Sequence, residues 1–122
     1  MKRSPRQRLA DVIERVEGAK KAESLLDEYE RAGRDIAVPL DAILYNLLVI
    51  GEAVTAVPNE IKDRRPDIPW ASITGLRNIL AHEYFDVNVE IIHLTLDVPL
   101  AQLQSACVEL LTLLSDCNIA PI

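Results

Sequence analysis

Aromatic residues make up only 4% of the 122 positions, and there are only four glycines. A core must therefore be built from aliphatic side chains, a composition that favours helices over a β-sandwich. Cysteine is equally scarce. Cys107 and Cys117 fall ten residues apart in one helical pattern, about 15 Å along a continuous helix and too far for a disulfide. Two unpaired thiols suit a reducing compartment, so the expected location is the cytoplasm. No long apolar run is present: Leu47 to Ile50 is far short of a membrane span. Arg6 to Glu17 lacks the apolar stretch of a signal peptide. Positive charge is also in deficit, with a net charge of −6, which argues against a protein that coats nucleic acid through a broad basic surface. A small local phosphate site remains open. No cluster of residues has metal-ligand spacing; His82 and Glu83 lack the partners a zinc site needs, so no metal and no cofactor is expected.

Apolar residues recur at helical spacing over most of the chain. Leu9, Val12, Ile13 and Val16, then Ala22, Leu25, Leu26 and Tyr29, predict one amphipathic helix from about Pro5 to Ala32, with Ser4 as its cap and Gly33 at its stop. A second helix is expected from about Val38 to Ala56, capped by Asp35. Its apolar residues lie almost all round, which predicts a central helix or one covered by a second subunit. Residues 58–69 are rich in turn formers, with one short helical turn around Glu60 to Arg64. A third long helix is expected from Trp70 to about Phe85. A fourth helical region runs from Asn88 to about Cys117, kinked or split at Pro99. The result is a single all-α domain over residues 1–122, a bundle of four or five helices.

The chemistry concentrates in Arg77-Asn78-Ile79-Leu80-Ala81-His82-Glu83-Tyr84. The chain has two histidines, so one placed beside an arginine, an amide and a phenol stands out. Arginine is a fixed cation suited to phosphate, and histidine exchanges protons near neutral pH. Asn78 and His82, four apart, share a helical face. Arg77 and His82 are five apart, about 140° around the axis, so one isolated helix does not present the pair cleanly. A two-fold dimer placing this helix near its axis would complete the site from both copies. In metal-independent RNA cleavage, His82 would move the proton, Arg77 would hold the scissile phosphate, and Asn78 would orient His82 or bond the substrate. The spacing alone also allows His82 and Tyr84 to be packing residues. His93 has no evident partner and reads as structural. Glu52 reads as a helix-packing residue or a partner for an arginine of the motif region.

Ile50-Gly51-Glu52-Ala53, Pro66-Asp67-Ile68-Pro69-Trp70, Arg77-Asn78 with His82-Glu83-Tyr84-Phe85, and Val98-Pro99-Leu100 follow in an order and spacing that resemble the HepT-like family of the HEPN superfamily. The resemblance covers roughly Arg6 to Leu114. It implies an up-and-down HEPN bundle that forms a homodimer and acts as a metal-independent ribonuclease, the toxin of a type VII-like toxin–antitoxin pair. Arg77 and His82 match the family's catalytic pair, and Asn78 its polar neighbour. Tyr84 matches the tyrosine to which a partner antitoxin, a minimal nucleotidyltransferase, transfers AMP. His93 stands where the family often has tryptophan, a difference that bears on packing. The acidic net charge and the very apolar second helix suit a different reading, a non-catalytic helical module that binds a nucleotide or a partner protein.

Overall fold

The computed structural model describes residues 3–75 and 98–116. The first helix, α1, spans Pro5–Arg31. Its start is closed by a capping box: the Ser4 hydroxyl accepts from the Gln7 N–H at 3.2 Å, and the Gln7 side chain accepts from the Ser4 N–H at 2.7 Å. Its end is a Schellman turn. The Arg34 N–H reaches the Tyr29 carbonyl, the Gly33 N–H reaches Glu30, and Gly33 takes φ of 68°.

The second helix, α2, spans Ala37–Ala56. Its N-cap is Ile36, not the expected Asp35; Asp35 stands one residue earlier and accepts from the Ala37 N–H at 2.9 Å. The turn-rich stretch holds one short helix, α3, Asn59–Lys62. Helix α4 begins at residue 70 and is described to residue 75. The last helix, α5, spans Val98–Asp116. The residues before Val98, over which this helical region was expected to begin, lie outside the described residues. All described regular structure is helical, and the chain is an all-α bundle.

Among the described elements, α1 packs against both α2 and α5. The apolar stripe of α1, Leu9, Val12, Val16, Ala19 and Leu26, is fully buried. It meets Ile43, Leu47, Ile50 and Val54 of α2 and Leu100, Leu103, Cys107 and Leu110 of α5, all likewise buried. Each of the valines, leucines and isoleucines contributes about 1.5–3 kcal/mol by leaving water. Polar contacts set the register of α5 antiparallel to α1. Gln104 donates to the Glu17 carboxylate at 2.8 Å and accepts from Lys20 at 3.2 Å, while Arg6 donates to the Leu114 carbonyl at 3.0 Å at the other end. By length and composition α2 could cross a membrane; half of that window is buried inside the fold, as in the core helix of a bundle. Val38, Tyr45 and Leu48 remain exposed along it, with Arg15 stacked over the Tyr45 ring.

Candidate active site

Arg77, Asn78, His82 and Tyr84 lie outside the described residues, as do Glu83 and His93. What the structure places is the frame from which that segment departs, on one side α4 and on the other α5. The lead-in to α4 is built by three ties.

The first is Trp70, the one tryptophan of the chain. Its indole N–H is shared between the Lys62 carbonyl at 3.0 Å and the Arg65 carbonyl at 2.9 Å, so the ring closes the turn that it follows. The second is apolar: Ile68 and Ile73 are both 5% exposed and plug the lead-in into the core. The Ile73 N–H donates to the Pro69 carbonyl at 3.1 Å, closing the first turn of α4. The third is ionic. The Arg65 fork meets both oxygens of Asp67, at 2.9 and 2.8 Å, and its remaining arm reaches Glu109 of α5 at 2.9 Å. Lys62 adds a link to the preceding helix by donating to the Val54 carbonyl at 3.1 Å.

Charge follows from this geometry. The Arg65 hydrogen bonds hold the Asp67 carboxyl below its ordinary range, and the two carboxylates hold the Arg65 guanidinium firmly charged. Cys107, beneath them in the core, has its thiol pushed up to about 12 by burial, with Arg65 acting weakly in the other direction. A thiol so held is not a nucleophile. An open cleft of about 470 Å³ lies beside the ion pair, lined by Arg65, Asp67, Ala101, Gln102 and Ser105. Each Arg65 nitrogen donates to a carboxylate, and one guanidinium between two carboxylates leaves the trio with a net negative charge.

The basic cluster of Lys62, Arg64 and Arg65 reads from sequence as solvated surface charge. For Lys62 and Arg65 the structure corrects this, since both are engaged in ties within the fold. Asp67 and Arg65 flank a proline turn, a pairing sequence could suggest. Glu109, 44 residues from Arg65, had no local signal. Glu52 sits on the exposed side of α2.

A family model described as ribonuclease HepT-like matches residues 9–110. Over 106 residues the chain is 33% identical to a protein of Thermococcus cleftensis named probable ribonuclease HepT, covering 81% of this chain and 90% of that one. It is 39% identical over 70 residues to a candidate RNase of Caldanaerobacter subterraneus subsp. tengcongensis, covering 57% of this chain and 62% of the relative's length. A candidate RNase of Methanocaldococcus jannaschii is 43% identical over 51 residues, 42% of each chain. No solved structure matches.

Proposed function

The chain belongs to the ribonuclease HepT-like family, and on that premise we propose that it is a metal-independent RNA endonuclease whose catalytic pair is Arg77 and His82. The observation that carries this reading is the position of Arg77-x4-His82-x-Tyr84 inside the family match over residues 9–110. In the proposed reaction the RNA 2′-hydroxyl loses its proton and attacks the adjacent phosphorus. The bond from phosphorus to the 5′-oxygen breaks, and that oxygen takes up a proton. His82 serves one of these two transfers, and Arg77 stabilises the charge that grows on the phosphoryl oxygens. Asn78 orients His82 or bonds the substrate. The nucleophile is the substrate's own hydroxyl, so the route requires no metal-activated water.

The biological setting in this reading is a cytoplasmic toxin of a type VII-like toxin–antitoxin pair. A minimal nucleotidyltransferase is the antitoxin and transfers AMP from ATP to the Tyr84 phenol, releasing pyrophosphate. The added phosphate brings negative charge and bulk beside Arg77, where the RNA phosphate must bind. A homodimer completes the site in this reading, because on the helix expected from sequence the five-residue spacing turns Arg77 about 140° away from His82.

Purified protein is expected to cut RNA in EDTA, and His82→Ala to abolish cutting with the helical content unchanged. Equal activity in wild type and H82A removes His82 from the mechanism. Incubation with the nucleotidyltransferase and ATP is expected to add one adenylyl mass and silence cleavage, and Tyr84→Phe to block both effects. The second reading, a non-catalytic binding module, is favoured by the net charge of −6 and by the engagement of Arg3, Arg6 and Arg65 in internal contacts. It predicts a partner complex and no RNA cleavage in any buffer.

A further inference from the structure

Among the described residues Tyr45 is the one aromatic ring that stands in solvent, 56% exposed midway along α2. The Arg15 guanidinium crosses to it from α1 and lies 5.4 Å from the ring centroid. Arg34 covers Tyr29 more closely, at 4.0 Å, within the turn that ends α1. The Tyr45 contact is looser and joins two helices. Leu48, one turn further along α2, extends the exposed apolar face. Arg8 lies seven residues before Arg15, two turns away on the same face of α1. Among the described residues its Nε is buried with no hydrogen-bond partner. Carboxylates hold Arg3 and Arg65, and a carbonyl holds Arg6; among the described residues neither Arg8 nor Arg15 pairs with a carboxylate. Asp41 and Glu52, the two carboxylates of α2, are each engaged.

We propose that Tyr45 and Arg15, together with Arg8, form a binding surface for single-stranded RNA, in which a base stacks on the Tyr45 ring and the two guanidiniums meet phosphates. The inference rests on the ribonuclease reading for the identity of the ligand. An aromatic face beside fixed cations is the pairing that holds a single strand without reading its sequence. The face of a base is apolar and takes the exposed side of the ring. A guanidinium held by a ring instead of a carboxylate keeps its donors for phosphate. Such a surface is local, so a net charge of −6 does not bar it. Val38, Tyr45 and Leu48 alone would suit an apolar protein face; two arginines without carboxylates on them select a polyanion.

The probe is a short fluorescent 2′-O-methyl oligoadenylate. It lacks the free 2′-hydroxyl that the proposed cleavage uses, so binding is read apart from chemistry. In the full chain, Tyr45→Ala and Arg15→Gln are each expected to weaken binding roughly 10-fold. Tyr45→Phe is expected to bind as wild type does, and Arg34→Gln, at the other stack, to change nothing. The slope of log Kd against log salt is expected to flatten by about 0.7 in R15Q and by about 1.4 in R8Q/R15Q, one phosphate contact for each arginine. Thermal melts show that each variant is folded. Unchanged affinity in Y45A overturns the proposal, and so does an unchanged salt slope in R15Q. An equal loss in Y45F and Y45A overturns it by assigning the effect to the hydroxyl, and a wild type that does not bind the probe overturns it outright. A Y45A protein that keeps its affinity but falls to a smaller mass in light scattering makes this face an interface between copies of the chain, and the proposal fails. Tyr45-dependent binding by a wild type that cuts no RNA sustains the surface and removes the ribonuclease reading. Cleavage by a wild type whose Y45A variant binds equally well keeps that reading and removes the surface.

Discussion

Asn46 is the one polar residue buried in the described core, 8% exposed between α1 and α2. Its amide N–H donates to the Ala42 carbonyl at 2.8 Å, and its Oδ1 is buried without a hydrogen-bond partner. Gly18 makes room for it: a Cβ there would stand 2.8 Å from that Oδ1. From sequence Gly18 reads only as a weak point in a helix, where alanine would be better by about 1 kcal/mol. The structure reverses that expectation, because an added methyl would press on Asn46, whose amide would have to give up its bond to the Ala42 carbonyl to move away. Gly18→Ala is expected to destabilise the protein by about 1–2 kcal/mol, as overpacking does. Adding Asn46→Ala should recover most of the loss, since it deletes both the obstructing atom and an unsatisfied acceptor. Thermal melts of the two singles and the double decide it, and a G18A protein more stable than wild type would show that the amide moves freely.

At the level of single elements, helix ends were the most legible features. Ser4 before Pro5, and Gly33 after a basic last turn, carry their physics within a few residues. The observed α1, Pro5–Arg31, falls one residue short of the expected Ala32. Gly33 sits at φ 68°, where any side chain crowds the following carbonyl. Gly33→Ala is expected to cost about 1 kcal/mol in a urea melt, although nothing lies within 4 Å of the added methyl. A neutral result would mean the turn re-forms in another geometry. The lead-in to α4 makes a pH-dependent element. Asp67 has its carboxyl lowered in the fold, chiefly by the Arg65 hydrogen bond. Its contribution is therefore complete above the ordinary carboxylate value of about 3.9 and is lost as pH falls through the lower folded value. Trp70 fluorescence reports this turn, because the chain has no other tryptophan. An acid transition below about pH 4 is expected in wild type and absent in Asp67→Asn. The same transition in both proteins would place its origin elsewhere.

For the whole molecule, the second helix, apolar almost all round, suggests from sequence a central helix or one covered by a second subunit; among the described residues α1 is the helix that touches both α2 and α5. Charge is drawn into the packing as well. Arg3 forms a two-pronged pair with Asp11 at 2.7 Å, Arg6 is spent on α5, and Arg65 on two carboxylates. Arg3, Arg6 and Arg65 are thus paired within the fold of a chain of net charge −6. By itself, the sequence determined the all-α class, the spans of α1 and α2 and the family, because periodicity and capping act within one or two turns and motif blocks keep their order along the chain. The residues expected at the site, Arg77, Asn78, His82 and Tyr84, are legible only as sequence. The tertiary structure alone decided that Gly18 faces Asn46 and that Arg65 reaches Glu109. Such partners lie far apart along the chain, and neither side chain carries a local mark of the other; only the antiparallel packing of helices on α1 and the turn closed by Trp70 bring them within bonding distance.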